Sequence, residues 1–247
     1  MPKMWNILDE IIEKTGFDEH RILILSLYGS QNYRMDNENS DIDTECFIFP
    51  SKDNLIYADP LFSKCIQTSY GTCHVKDIRA AFNELRKCSP NMLEIFASPY
   101  MIINQIYYFI INEICSHEIN FIASLNPYKS MPGFEGLYNK YRKDMMTSNK
   151  AYANMLRIEN MMTSILHHED YTNELIPHNY PALQQIKYAN RVNLDVREVT
   201  ESGYSQVLRK NIEIFYAFTS VKDNENVLNI INDWQQELMI RYIKLVF

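Results

Sequence analysis

Between two apolar runs, residues 28–44 read Tyr-Gly-Ser-Gln-Asn-Tyr-Arg-Met-Asp-Asn-Glu-Asn-Ser-Asp-Ile-Asp-Thr. The apolar runs predict strands over residues 21–28 and 42–49, joined by this polar loop. Because successive side chains of a strand point to opposite faces, Asp41 and Asp43 are expected on one face, about 6–7 Å apart. The stretch therefore predicts two neighbouring strands with a pair of carboxylates at the start of the second.

Gly29 and Ser30 stand at the mouth of the first predicted strand. A turn of this kind offers backbone N–H groups and a hydroxyl to a polyphosphate. The spacing of Asp41 and Asp43 suits carboxylates that share divalent cations. Either half alone is common in ordinary turns and polar strand ends. Together, with a strand before and a strand after, they favour metal-dependent phosphoryl or nucleotidyl transfer.

The pairing of Gly29-Ser30 with Asp41-Ile-Asp43 resembles the signature of the DNA polymerase β-like nucleotidyltransferase superfamily. The fuller string, from Tyr28 to Tyr33 and from Ser40 to Thr44, is similar to a branch of uncharacterised nucleotidyltransferases common in phages and bacteria. The resemblance implies transfer of a nucleoside monophosphate from an NTP to an acceptor hydroxyl, with release of pyrophosphate. It also implies Mg²⁺ or Mn²⁺ as the metal.

The superfamily places a third carboxylate on a neighbouring strand, and residues 71–79 resemble the segment that carries it. His74 stands where the resemblance implies the acidic residue. Asp77 is the nearest carboxylate, but it equally fits the N-cap of a helix predicted over residues 78–87. Glu45 shares the strand parity of the two aspartates and is a third candidate. The group that completes the metal site is therefore left open among these three.

The expected site residues fall into three sets. The catalytic set is Asp41, Asp43 and Asp77. The metal set is Asp41, Asp43 and His74. The set that contacts the nucleotide is Gly29, Ser30, Lys150 and Arg157.

Lys150 and Arg157 enter through a second part of the resemblance. Residues 131–136 and 150–159 are similar to the helical lobe of the same branch, where a lysine and an arginine reach toward the nucleotide phosphates. Their spacing of seven residues predicts two positions on one helix face. The alternative is a solvated charged face with no ligand.

The remaining pattern predicts an α+β fold, with a small mixed-sheet catalytic domain over residues 1–99 and an all-α helical lobe over residues 100–247 that closes the nucleotide cleft. A short helix ends near Gly16, and a third strand is expected over residues 68–76. Further helices are predicted over residues 101–125, 135–148, 149–168, 180–189, 195–201, 204–219 and 224–246. The stretch 211–247 offers helical periodicity and no identifiable chemistry.

Composition narrows the partners. The formal net charge is −7, so no global positive field attracts long nucleic acids. Five cysteines without a Cys-X-X-Cys pair argue against a zinc site or a disulfide framework and favour a reducing cytosol. We expect no membrane span and a cytoplasmic protein, in the host cytoplasm if phage-encoded.

The acceptor remains open among an RNA or DNA end, a protein side chain and a small molecule, and the choice of NTP and the oligomeric state are open too. An alternative function is a catalytically weak protein that binds a nucleotide to sense or sequester it. His74 at the expected carboxylate position is the feature that favours this alternative.

Overall fold

The computed structural model describes residues 2–57, 60–116, 129–166, 180–189, 197, 205–218 and 224–246. The chain divides into two compact units. The sheet unit takes in residues 1–32, 37–125 and 224–247, and the helical unit takes in residues 33–36 and 126–223. The sheet unit therefore extends past residue 99 and includes the last helix.

One mixed sheet of five strands organises the sheet unit, and the prediction of an α+β fold is confirmed. The strands lie in the order β3-β4-β2-β1-β5. Only the β2–β4 pair is parallel among these strands. The bounds are β1 Ile22–Leu27, β2 Thr44–Ile48, β3 Ser63–Gln67, β4 Thr72–Asp77 and β5 Met101–Ile103.

Ten helices accompany the sheet in the described part of the chain. Those of the sheet unit are α1 Pro2–Thr15, α2 Lys52–Ile56, α3 Ile78–Arg86, α4 Pro90–Phe96, α5 Tyr108–Ser116 and α10 Glu225–Val246. Those of the helical unit are α6 Ser130–Asp144, α7 Asn149–Leu166, α8 Tyr180–Lys187 and α9 Ser205–Phe218. No helix among the described residues is long and apolar enough to cross a membrane.

Helix α1 covers one face of the sheet. Alternation along β2 and β4 turns four apolar side chains toward it, and they form a core with three side chains of α1. These residues are Cys46, Ile48, Cys73, Val75, Met4, Ile7 and Ile11. Full burial of each large aliphatic side chain contributes roughly 1.5–3 kcal/mol.

Helices α4 and α10 pack on aromatic side chains of the opposite face and its rim. The Phe47 ring stacks on Phe96 of α4, with centroids 5.8 Å apart. The Phe49 ring stacks on Tyr242 of α10 at 4.3 Å, and the Tyr242 hydroxyl donates to the Pro50 carbonyl. The C-terminal helix is therefore part of the core of the sheet unit.

The strand predicted over residues 68–76 is wrong in its bounds. The chain forms a hairpin there, with β3 before and β4 after a turn closed by hydrogen bonds from Thr68 to the Gly71 carbonyl. β3 was missed because four of its five side chains, Ser63, Lys64, Cys65 and Gln67, are exposed at the sheet edge and break the apolar alternation.

Two further predictions of strand and helix bounds are wrong. A helix was expected from residue 101, but the chain forms the short strand β5 there, and helix α5 starts only at Tyr108. Met-Ile-Ile fits a buried helix as well as a strand, because a short apolar run carries no period. The strand expected from residue 42 begins at Thr44, so Asp41 and Asp43 precede it. The helix predicted over 195–201 lies outside the described residues, apart from position 197.

Helix α7 is the centre of the helical unit and contacts α6, α8 and α9. It begins where predicted, at Asn149, because the Ser148 hydroxyl accepts a hydrogen bond from the Ala151 amide. The other three helices are also confirmed within a few residues of their predicted bounds. The side chains of α7 that form the core are Ala153, Met155, Ile158, Met161, Met162 and Ile165.

Candidate functional site

The Gly29-Ser30 turn lies directly after β1. The chain makes a single 3₁₀ turn over Gly29–Gln31, which the Asn32 amide closes on the Gly29 carbonyl at 3.0 Å. Gly29 has a φ of 72°. This is a left-handed backbone conformation that is strained for any residue with a Cβ atom. The Ser30 hydroxyl makes no hydrogen bond to the described residues. The turn therefore presents a hydroxyl that is available to a ligand.

Asn32 holds this turn in place. Its side chain is 1% exposed, and its amide nitrogen donates to the Glu94 carbonyl of α4 at 3.1 Å. The sequence pattern assigns Asn32 no role beyond its place in the string that resembles the superfamily. Its contact with α4 joins residues that are far apart along the chain, so the local sequence pattern does not predict it.

The backbone of Asp41, Ile42 and Asp43 is held on both sides. The Tyr28 amide donates to the Asp43 carbonyl at 2.9 Å, and the Ile42 amide donates to the Tyr70 carbonyl at 2.8 Å. These bonds join the two aspartates to the end of β1 and to the turn before β4. The two carboxylates are thus positioned by backbone contacts, although neither lies within a strand.

The Asp43 carboxylate faces the Gly29-Ser30 turn. Its Oδ1 accepts a hydrogen bond from the Thr72 amide at 3.2 Å. Its Oδ2 would lie 3.8 Å from a Cβ placed on Gly29. Asp41 is exposed, and its carboxylate makes no hydrogen bond to the described residues. The structure therefore brings Gly29 and Asp43 together and leaves carboxylate oxygens available beside the turn.

His74 and Glu45 lie directly opposite each other on the parallel strands β4 and β2, so their side chains share a sheet face. His74 is exposed and Glu45 is 3% exposed. The Lys76 ammonium lies 2.5 Å from Glu45 Oε1. Burial raises the pKa of Glu45, and Lys76 and His74 oppose that rise. His74 is consequently the more accessible of the two candidates.

Asp77 is the N-cap of α3, as one of its two interpretations predicts. Its Oδ1 accepts from the Arg79 amide at 2.8 Å and from Arg79 Nε at 2.9 Å, and its Oδ2 accepts from Arg79 Nη2 at 2.7 Å. The side chain is 1% exposed. As a metal ligand, Asp77 would have to give up these charge-assisted bonds.

Lys150 and Arg157 belong to the helical unit, where both lie on α7. Lys150 is exposed. Arg157 is 3% exposed, and its guanidinium carbon lies 3.7 Å from the centroid of the Tyr33 ring. Despite their regular spacing, one side chain is open to solvent and the other is packed.

A divalent cation could be held by the two aspartates. No group of three or more His, Cys, Asp or Glu side chains suited to a metal occurs among the described residues. Mg²⁺ retains several waters and is commonly held by one or two carboxylates together with substrate phosphates. Asp41 and Asp43, beside the Gly29-Ser30 turn, fit the carboxylate part of that requirement.

No protein-family model matches the chain. No curated protein matches it either.

Proposed function

We propose that the protein is a metal-dependent nucleotidyltransferase that moves a nucleoside monophosphate from an NTP to an acceptor hydroxyl and releases pyrophosphate. The observation that carries the proposal is the Asp43 carboxylate beside the left-handed Gly29 turn. Anion-binding N–H groups and metal-binding oxygens are needed together in phosphoryl chemistry, and few other reactions need both.

Each side chain has one task in this proposal. The backbone N–H groups of Gly29 and Ser30 and the Ser30 hydroxyl hold the triphosphate. Asp41 and Asp43 hold Mg²⁺ or Mn²⁺, which neutralises the charge that develops on the phosphoryl oxygens. The acceptor oxygen attacks the α-phosphorus, the bond to the β-phosphate oxygen breaks, and pyrophosphate leaves with the bonding electrons.

His74 is proposed as the base of this site and not as a third metal ligand, because the described residues contain no group of three side chains suited to a metal. It is exposed on the sheet face that also carries Glu45, and an imidazole can accept the proton of the acceptor hydroxyl. Glu45 is already engaged by Lys76, and Asp77 by Arg79. These two engagements are the reason for preferring His74.

Lys150 is an exposed cation on α7, and its contact with nucleotide phosphates stays a prediction of the family resemblance. The acceptor is proposed to be a small molecule, a protein side chain or a short nucleic-acid end, because the net charge of −7 disfavours long nucleic acids.

No disulfide joins the described cysteines, which supports the reducing cytoplasm as the place of action.

The test is a transfer assay. The protein is incubated with Mg²⁺ or Mn²⁺ and each labelled NTP, and pyrophosphate and label transfer are measured against wild type in Asp43→Asn. Loss of metal-dependent turnover in D43N supports the proposal. Asp9→Asn is the matched control, since Asp9 is an exposed aspartate on α1, and it is expected to keep wild-type turnover.

The second candidate is a protein that binds an NTP without turning it over, favoured by a histidine in place of the carboxylate that the resemblance implies at position 74. Tight, metal-dependent NTP binding without pyrophosphate release in any mixture supports this candidate. Absence of metal-dependent nucleotide binding contradicts both.

A further inference from the structure

The loop that joins Ser30 to Asp41 has a buried stretch in its middle. Residues 33–36 are grouped with the helical unit, and Tyr33 is 5% exposed and Met35 is 1% exposed. The next three residues of the loop are exposed. The two buried side chains pack with Ala153, Leu156, Leu183 and Ile186 of α7 and α8.

The backbone of this stretch is also tied to the helical unit. The Met35 carbonyl accepts from the Lys187 ammonium at 2.6 Å and from the Tyr188 hydroxyl at 3.2 Å. The Asp36 carbonyl accepts from the Gln184 side-chain amide at 2.5 Å. Three donors at the C-terminal end of α8 therefore hold two consecutive carbonyls.

Arg157 completes the contact from α7. Its guanidinium carbon lies 3.7 Å from the Tyr33 ring centroid, a distance typical of a stacked cation–π pair. With only 3% of its surface exposed, the side chain is packed within the helical unit. A lysine keeps the charge at this position but cannot present the same flat face to the ring.

We infer that residues 33–36 are an anchor through which α7 and α8 fix the middle of the loop, and that Arg157 is a positioning residue acting through Tyr33. Two residues separate Ser30 from Tyr33, and four separate Asp36 from Asp41. The anchor therefore leaves only these two short segments between itself and the two ends of the loop. The consequence for turnover rests on the proposed function, whereas the anchor itself does not.

The anchor is tested in the full-length protein by hydrogen exchange of peptides that cover residues 33–36, with mass-spectrometric detection. Tyr33→Leu and Arg157→Lys are each expected to speed exchange there by about tenfold or more. The double variant is expected to exchange no faster than the faster single variant, because both changes break one contact. Unchanged exchange in both single variants overturns the inference.

Three controls accompany this measurement. Tyr33→Phe keeps the ring and is expected to restore slow exchange relative to Y33L. Lys143→Met removes an exposed cation from α6 and is expected to leave exchange at wild-type rates. If Y33L does not fold, Lys187→Met replaces it, since it removes one of the donors to the Met35 carbonyl.

Kinetics separate a positioning role from a phosphate contact. Positioning predicts that Y33L and R157K lower kcat/KM by similar factors and that the double variant falls no further. Lys150→Met, by contrast, is expected to combine multiplicatively with Y33L. A loss in R157K without a loss in Y33L overturns the positioning role. Absence of turnover in wild type contradicts the proposed function alone, and the exchange data then decide the anchor.

Discussion

Gly71 lies against Ile42 so closely that a Cβ at position 71 would stand 2.6 Å from the Ile42 carbonyl oxygen. Ile42 is the residue between the two aspartates of the candidate site. Side-chain Cβ atoms do not approach backbone oxygen at this distance, so any residue larger than glycine must push the backbone of Asp41 and Asp43 away.

Gly71→Ala is therefore expected to destabilise the fold by roughly 1–3 kcal/mol, the usual cost of overpacking. It is also expected to weaken metal-dependent NTP binding, because the Asp43 carboxylate moves relative to Gly29. Urea unfolding and nucleotide titration measure the two effects.

Gly136→Ala is the control for Gly71→Ala. Nothing lies within 4 Å of a Cβ at Gly136, and alanine in a helix interior is expected to stabilise by about 0.5–1 kcal/mol. Equal stability of G71A and wild type would contradict the close approach.

The sequence pattern singled out the residues next to the strand ends but not the distant residues that contact them. Gly29, Ser30, Asp41 and Asp43 were identified because turn and carboxylate chemistry is local and leaves a trace in adjacent letters. Gly71 and Asn32 were not assigned roles, since each acts by touching a residue distant along the chain.

Arg157 illustrates the same limit on a helix. Its spacing from Lys150 predicted a shared face, and periodicity reports angular position correctly. Burial depends on what packs there, and here a loop residue more than a hundred positions earlier, Tyr33, covers the arginine. The edge strand β3 was missed for a related reason, because one neighbour and open solvent impose little pattern on its side chains.

Lys76→Met is expected to destabilise the protein near neutral pH by leaving Glu45 as a buried carboxylate without its cation. Removing one partner of a fully buried ion pair lowers the free energy of unfolding by roughly 3–5 kcal/mol. The Lys76 side chain is one-third exposed, so a loss of roughly 2 kcal/mol is expected. Lys64→Met is the control, because Lys64 is exposed on the edge strand and surface changes usually cost less than about 0.5 kcal/mol.

The pH dependence of K76M follows from the direction of the Glu45 shift. Burial raises the pKa of Glu45 above its ordinary value of 4.5, so the unfolded chain releases this proton first as pH rises. Stability therefore falls with rising pH in the window above 4.5. The loss in K76M should accordingly shrink toward pH 4.5 in urea unfolding series, and a pH-independent loss argues against an electrostatic origin.

Glu159→Met is expected to stabilise the protein. Glu159 on α7 is 4% exposed, and neither carboxylate oxygen makes a hydrogen bond to any residue that the structure describes. A buried polar group without a partner costs about 1–3 kcal/mol, and methionine fills a similar volume without that cost.

Burial raises the pKa of Glu159, so the ionised form lowers stability increasingly as pH rises above 4.5. The gain in E159M should thus be larger at neutral than at acidic pH by thermal unfolding. Glu213→Met, at an exposed position of α9, serves for comparison, and an equal gain there would assign the effect to hydrophobicity alone.

His74→Asp addresses the choice between an enzyme and a nucleotide sensor. The substitution puts a carboxylate on the sheet face shared with Glu45, at the position where the superfamily resemblance implies one. We expect metal-dependent pyrophosphate release to rise by about tenfold. That is below the roughly 10²–10⁴-fold contribution of a well-placed general base, since His74 already fills part of this role.

His20→Asp is the matched control for H74D, because His20 is an exposed histidine in the 3₁₀ turn before β1 and its replacement is expected to leave turnover unchanged. Initial rates at saturating NTP and Mg²⁺ are compared for wild type, H74D and H20D. A wild type that binds NTP without turnover, together with an H74D variant that gains it, identifies a sensor built on an enzyme site. A lower rate in H74D than in wild type identifies the imidazole itself as the group that the reaction requires.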